Sequence, residues 1–166
     1  GGEEDRQVCE AAFDKFPDSH FQVSLIAHAL HRGLPDLAEQ KVRVLLENCS
    51  DNVLLWTLAD VLLHYQRSDE AKLIYKRLAA RPAENPLGLV HSALSEHRLG
   101  NSARAADMFE AGIKEYPQAA ELVDHYILVC SKLGQMERVL RILASDAKTE
   151  EQACEVLFEK FPDPQF

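Results

Sequence analysis

The sequence predicts an all-α protein built from about four copies of one helix pair. Three observations predict it. Apolar residues recur at helical period between punctuation points, glycines mark a regular spacing, and one ten-residue phrase occurs twice. The length, 166 residues, suits a single domain of residues 1–166 with a sizeable core.

The helical stripes come first. Proline is confined to Pro17, Pro35, Pro82, Pro86, Pro117, Pro162 and Pro164, and the stretches between are rich in helix formers. Leu55, Leu58, Ala59, Leu62 and Leu63 line one stripe, Ala71, Ile74, Tyr75 and Leu78 the next, and Ala105, Met108, Phe109, Gly112 and Ile113 another. No alternating strand pattern competes with them.

The punctuation comes second. Gly33, Gly100 and Gly134 each end one stripe and precede another. A glycine there supplies the positive φ that closes a helix and permits a tight reversal. The marker missing between Gly33 and Gly100 falls in Gln66-Arg67-Ser68-Asp69, a polar break at the expected place. Pro17, Pro82 and Pro117 close second helices, since proline cannot continue one. The period is 33 to 35 residues, and the repeats are expected over 19–50, 51–84, 85–117 and 118–148.

The duplicated phrase completes the frame. CEAAFDKFPD near the start returns as CEVLFEKFPD near the end, and windows 5–18 and 150–163 agree at 8 of 14 positions. Cys9, Ala12, Phe13 and Phe16 fall on one helical face, as packing requires. Both segments therefore read as terminal helices of repeats, 5–18 from a preceding copy and 149–163 as a C-terminal helix, rather than as a duplicated catalytic motif. Gly1 and Gly2 resemble a cloning remnant, so an excised fragment of a longer chain is expected.

The residues Gly100–Pro117, GNSARAADMFEAGIKEYP, resemble the tetratricopeptide repeat family. Gly100 matches the inter-helix turn, Ala105 the small residue where the helices touch, Phe109 the aromatic position, Gly112 the second small position and Pro117 the terminal proline. Residues 54–82 give a second copy, with Leu58, Ala59 and Leu62 in the first helix, Ala71 at the contact and Tyr75 as the aromatic. The first copy keeps Gly33 and Ala38 but has Val42 for the aromatic, and the fourth keeps Tyr126, Leu133 and Gly134 but has Val139 for the small residue. Leu78 at a usually small position, and the first and fourth copies lacking a closing proline, depart from the pattern.

The resemblance covers almost the whole chain and implies a right-handed α-solenoid with partial repeats or capping helices at both ends. It also implies that first helices line a concave groove. By phase, the groove residues are Val23, Ala27, Leu30 and His31; then Val53, Trp56, Asp60, Leu63 and His64; then Leu87, Val90, Leu94, His97 and Arg98; then Asp124, Leu128 and Lys132. Trp56 either anchors a partner in the groove or packs between copies. Some members of the family grip a C-terminal carboxylate through Lys and Asn, but Val23, Ala27 and Thr57 stand at the corresponding places here, which disfavours that ligand. An apolar groove suits a peptide or an amphipathic helix.

His31, His64 and His97 are spaced 33 apart and would form a ladder on stacked first helices. The ladder reads either as a pH-tuned or anion-contacting stripe or, more plainly, as solvated histidines at helix ends. A metal is disfavoured, because stacked helices sit ~8–10 Å apart.

Composition narrows the function. Net charge is −9, which disfavours nucleic acid and anionic membrane surfaces as partners. No apolar run approaches a membrane span, so no membrane insertion is expected. Cys9, Cys49, Cys130 and Cys154 form neither a CxxC pair nor a metal spacing with His. They read as buried free thiols and lean towards a reducing, cytoplasmic setting. No nucleophile elbow, phosphate loop or metal motif is present, so no catalytic residue, cofactor or metal is expected. The leading expectation is a scaffold or adaptor that holds another protein. A regulatory or targeting domain of a larger enzyme and a secretion or assembly chaperone shielding an apolar client are the alternatives. Weak self-association through the terminal Phe16 and Phe161 is a further expectation.

Overall fold

The computed structural model describes residues 2–143, together with Glu155 and Glu159, which are helical. Among the described residues it contains nine helices and no strand: α1 (Gly2–Lys15), α2 (Ser19–His31), α3 (Pro35–Asn48), α4 (Asn52–His64), α5 (Ser68–Ala79), α6 (Pro86–Arg98), α7 (Ser102–Glu115), α8 (Ala120–Leu133) and α9 (Met136–Leu143). The helix pairs fall inside the four expected windows. The expected C-terminal helix over 149–163, with Cys154 and Phe161, lies outside the described residues apart from Glu155 and Glu159.

The reversal inside each pair is one motif used four times. Gly33, Gln66, Gly100 and Gly134 all have left-handed backbones, with φ of 73°, 60°, 90° and 67°. Their spacing is 33, 34 and 34. In each turn the left-handed residue donates its N–H three residues back, to Leu30, Leu63, His97 and Ser131. The next residue donates five back: Leu34 to the carbonyl of Ala29, Arg67 to Leu62, Asn101 to Glu96 and Gln135 to Cys130. This pair of bonds satisfies carbonyls that the helix end would otherwise leave open. The polar break at Gln66–Asp69 thus holds the missing marker, and Gln66 does a glycine's work there.

First-helix starts repeat as well. Asp18 accepts from the His20 N–H, Asp51 from those of Val53 and Leu54, and Asn85 from that of Gly88. Such caps contribute about 1 kcal/mol each. The fourth start, at Ala119, has no side-chain cap.

The chain divides into two compact units, Gly1–Leu78 and Ala79–Phe166. In the first, α2 packs on α1, on its partner α3 and on the next first helix, α4. In the second, α6 packs on α7 and α8, α7 on α8, and α8 on α9. In both units a first helix packs on its own partner and on the next first helix, α2 on α3 and α4, and α6 on α7 and α8. The small positions Ala38, Ala71 and Ala105 are buried, with Val139 buried at the fourth. Four residues on, Val42, Tyr75 and Phe109 are buried in turn. Trp56 meets Tyr75 edge-on, with centroids 5.3 Å apart. The second unit's core gathers Ala93, Ala105, Phe109, Leu122, Tyr126, Val129 and Cys130. Gly112 is buried where a Cβ would press on Leu89 and lie 3.4 Å from the Leu122 Cδ1.

Candidate functional site

Because all four turns share one geometry, each first-helix residue can be placed by its distance from its own left-handed residue. Two residues before it stand His31, His64, Arg98 and Lys132, all exposed. These side chains lie in the last turn of α2, α4, α6 and α8, where positive charge complements the helix dipole. Six residues before it stand Ala27 and Leu94, half-buried, and Asp60 and Leu128, exposed. Thirteen before it stand Val53 and Leu87, both exposed apolar residues, with His20 and Glu121.

The structure moves two expected groove residues inward. Val23 and Val90, ten before their turns, are buried and leave no side-chain surface to a partner. Their equivalents differ: Trp56 is half-buried against Tyr75, and Asp124 is exposed. Trp56 therefore packs on its own unit while keeping part of its surface open. Leu30 and Leu63 are half-buried.

The histidine ladder is corrected. His31 and His64 share a position, but the repeat lengthens by one residue before the third turn. Arg98 takes the third rung, and His97 falls one place earlier, equivalent to Leu30 and Leu63. Its Nδ1 lies 2.7 Å from the Ser102 Oγ. Burial lowers the His97 pKa, and Lys132 and Arg98 lower it further by repelling a second positive charge. His91 and His125 do share a position; His91 is buried, and His125 stacks on Phe109 with centroids 6.4 Å apart. Burial also lowers the His125 pKa, with Asp124 and Glu121 pulling the other way.

On the second unit the exposed face of α8 is sorted by charge along the helix. Glu121 and Asp124 lie towards the start of α8, Leu128 follows at 46% exposure, and Lys132 stands one turn beyond. On the packed neighbour α6, Leu94 and Arg98 repeat the last two steps. Leu94 and Leu128 thus each have a cation one turn beyond them, Arg98 and Lys132. Among the described residues, no group of three or more His, Cys, Asp or Glu could hold a metal ion. No described helix is long and apolar enough to cross a membrane.

Two polar features escape sequence reading. Glu96 is 8% exposed at the place occupied by Ala29, Leu62 and Cys130, which are all buried. It accepts from the Asn101 Nδ2 at 2.8 Å, and Arg104 approaches it at 3.7 Å. The acid thus braces the turn from within the hairpin. Its signal was readable only after the exact turn register was known.

The second feature is Arg138 on α9. Its Nε donates to the Glu110 Oε1 at 2.9 Å, and a second nitrogen donates to the Asp107 Oδ1 at 2.6 Å. Tyr126 on α8 donates to the same Glu110 oxygen at 2.6 Å. Burial works against the Glu110 charge, yet the bonds from Arg138 and Tyr126 hold its carboxyl below the usual range. Burial, and then the Glu110 carboxylate, push the Tyr126 hydroxyl well above its usual range. The network ties α7, α8 and α9 together and leaves the exposed face untouched. No family model matches the chain, and neither does any curated protein or solved structure.

Proposed function

We propose that the chain is a protein-interaction module of the tetratricopeptide kind, whose helix pairs stack as a right-handed superhelix and hold a partner segment on the faces of their first helices. The fourfold recurrence of one reversal, at 33, 34 and 34 residues, is the observation that carries the reading. A chain that repeats one supersecondary unit builds its core from neighbour contacts and leaves a long face for recognition. The partner is a peptide or amphipathic helix that sets apolar side chains against Leu94 and Leu128. Binding rests on shape, apolar burial and charge at Arg98 and Lys132, and no chemistry is assigned to the chain.

The test is capture from a lysate of the source organism by the wild type beside an Arg98→Glu/Leu128→Glu variant. Both altered residues are exposed, so the variant keeps its helical circular dichroism. The reading expects a protein captured by the wild type and lost with the variant. A set of captured proteins identical for both contradicts it.

A further inference from the structure

The surface that α1 covers on α2 has a second candidate occupant in the same chain. The buried residues of α1 are Cys9 and Phe13. Asp5 pairs with Arg32, the residue that caps the end of α2, at 2.5 Å. The Gln22 Nε2 donates to the carbonyls of Phe13 and Phe16, and the Lys41 ammonium stands 5.0 Å from the centre of the Phe13 ring. Phe16 meets Phe21 of α2 with centroids 5.4 Å apart.

Residues 150–163 preserve this set. Cys154, Phe158 and Phe161 stand where Cys9, Phe13 and Phe16 do, and Glu150 keeps the acid of Asp5. Glu155 and Glu159, counterparts of Glu10 and Asp14, are helical. The non-conservative differences are Arg6 to Glu151, Val8 to Ala153, Ala11 to Val156 and Ala12 to Leu157. Val8 and Ala11 are exposed, and Arg6 and Ala12 are half-buried. The buried Cys and Phe, the second Phe and the acid at the first position are thus kept, while Ala12 on the same helical face becomes the larger Leu157.

We propose that residues 150–163 of a second copy can replace α1 on α2, so that copies exchange this segment head to tail. Exchange of near-identical elements is a low-cost route to association. The short link through Phe16, Pro17 and Asp18 gives the resident α1 an effective concentration of about millimolar, so exchange between equal fits sets in near that concentration.

The full chain is followed by sedimentation in about 0.15 M salt, which screens repulsion between acidic copies. Wild type is expected to associate only as the chain approaches millimolar concentration, and Phe158→Ser to weaken that association. Phe13→Ser weakens the resident helix. Truncating a buried Phe costs more than a tenfold step, so association moves to a concentration at least roughly tenfold lower. The double variant Phe13→Ser/Phe158→Ser returns to monomer.

Cross-linking a mixture of light and heavy chains is expected to join Lys160 of one to Lys41 of the other. Three results overturn the proposal: association of the double variant as strong as that of Phe13→Ser, Lys160–Lys41 links confined to single chains, or monomers throughout.

Discussion

Replacing Gln66 by Gly should make the first unit more stable, although it deletes a side chain. Gln66 is exposed and is held at φ 60°, where the other three turns place glycine. A left-handed backbone costs an ordinary residue about 1–2 kcal/mol. Glycine removes that strain but brings extra freedom to the unfolded chain, worth about 0.5–1 kcal/mol. The difference predicts a gain of about 0.5–1 kcal/mol. The control lies in the same unit. At Gly33, with φ 73°, an added Cβ meets nothing within 4 Å, so Gly33→Ala meets no clash and exchanges the same two terms in reverse. It should lose about 0.5–1 kcal/mol. Urea unfolding of both variants beside the wild type measures the two shifts, and unchanged slopes show that the surface exposed on unfolding is the same. The midpoints should lie on opposite sides of the wild type. A loss at Gln66→Gly, or no change at Gly33→Ala, would refute a shared left-handed reversal.

Three more outcomes are expected. At Gly112 the crowding atom is the movable end of Leu89, so Gly112→Ala should be near neutral as helix propensity offsets the shift, whereas Gly112→Leu should cost about 1–3 kcal/mol by overpacking; melting temperatures of the pair check this. Arg138→Ala removes the bonds to Glu110 and Asp107 and should cost about 1–3 kcal/mol, seen as faster hydrogen exchange in α9 than in α6. Stability should fall with acid below about pH 6.5, because the folded state resists protonation of His97 and His125 while the unfolded chain binds those protons; the loss of melting temperature between pH 7 and pH 5.5 should shrink in His97→Asn/His125→Asn.

The helices and their pairing were legible because the relevant signals are local. Apolar period, terminal proline and turn glycine each act within a few residues, and they put every described pair in its expected window. Gln66 was legible as a break but not as a left-handed residue, since its conformation is imposed by the helices on either side. The face was read less well. Val23 and Val90 came out buried because helical phase alone cannot separate neighbouring faces about 100° apart. The histidine ladder failed through a single added residue, which turns a side chain by that same angle and exchanged His97 for Arg98. Glu96 and Arg138 were missed because their partners come from turns and helices that only the folded chain brings together.

The most direct test of the binding account is the affinity of the captured partner for two single variants, Leu128→Glu on the first helix α8 and Leu73→Glu on the second helix α5. Both residues are exposed, at 46% and 61%, so each change adds a charge to the surface without opening the core. Partner binding on first-helix faces predicts a Kd raised at least roughly tenfold by Leu128→Glu, a loss of about 1.4 kcal/mol or more, and left unchanged by Leu73→Glu. An unchanged Kd for Leu128→Glu with a weakened one for Leu73→Glu would place the partner on the second helices and contradict it.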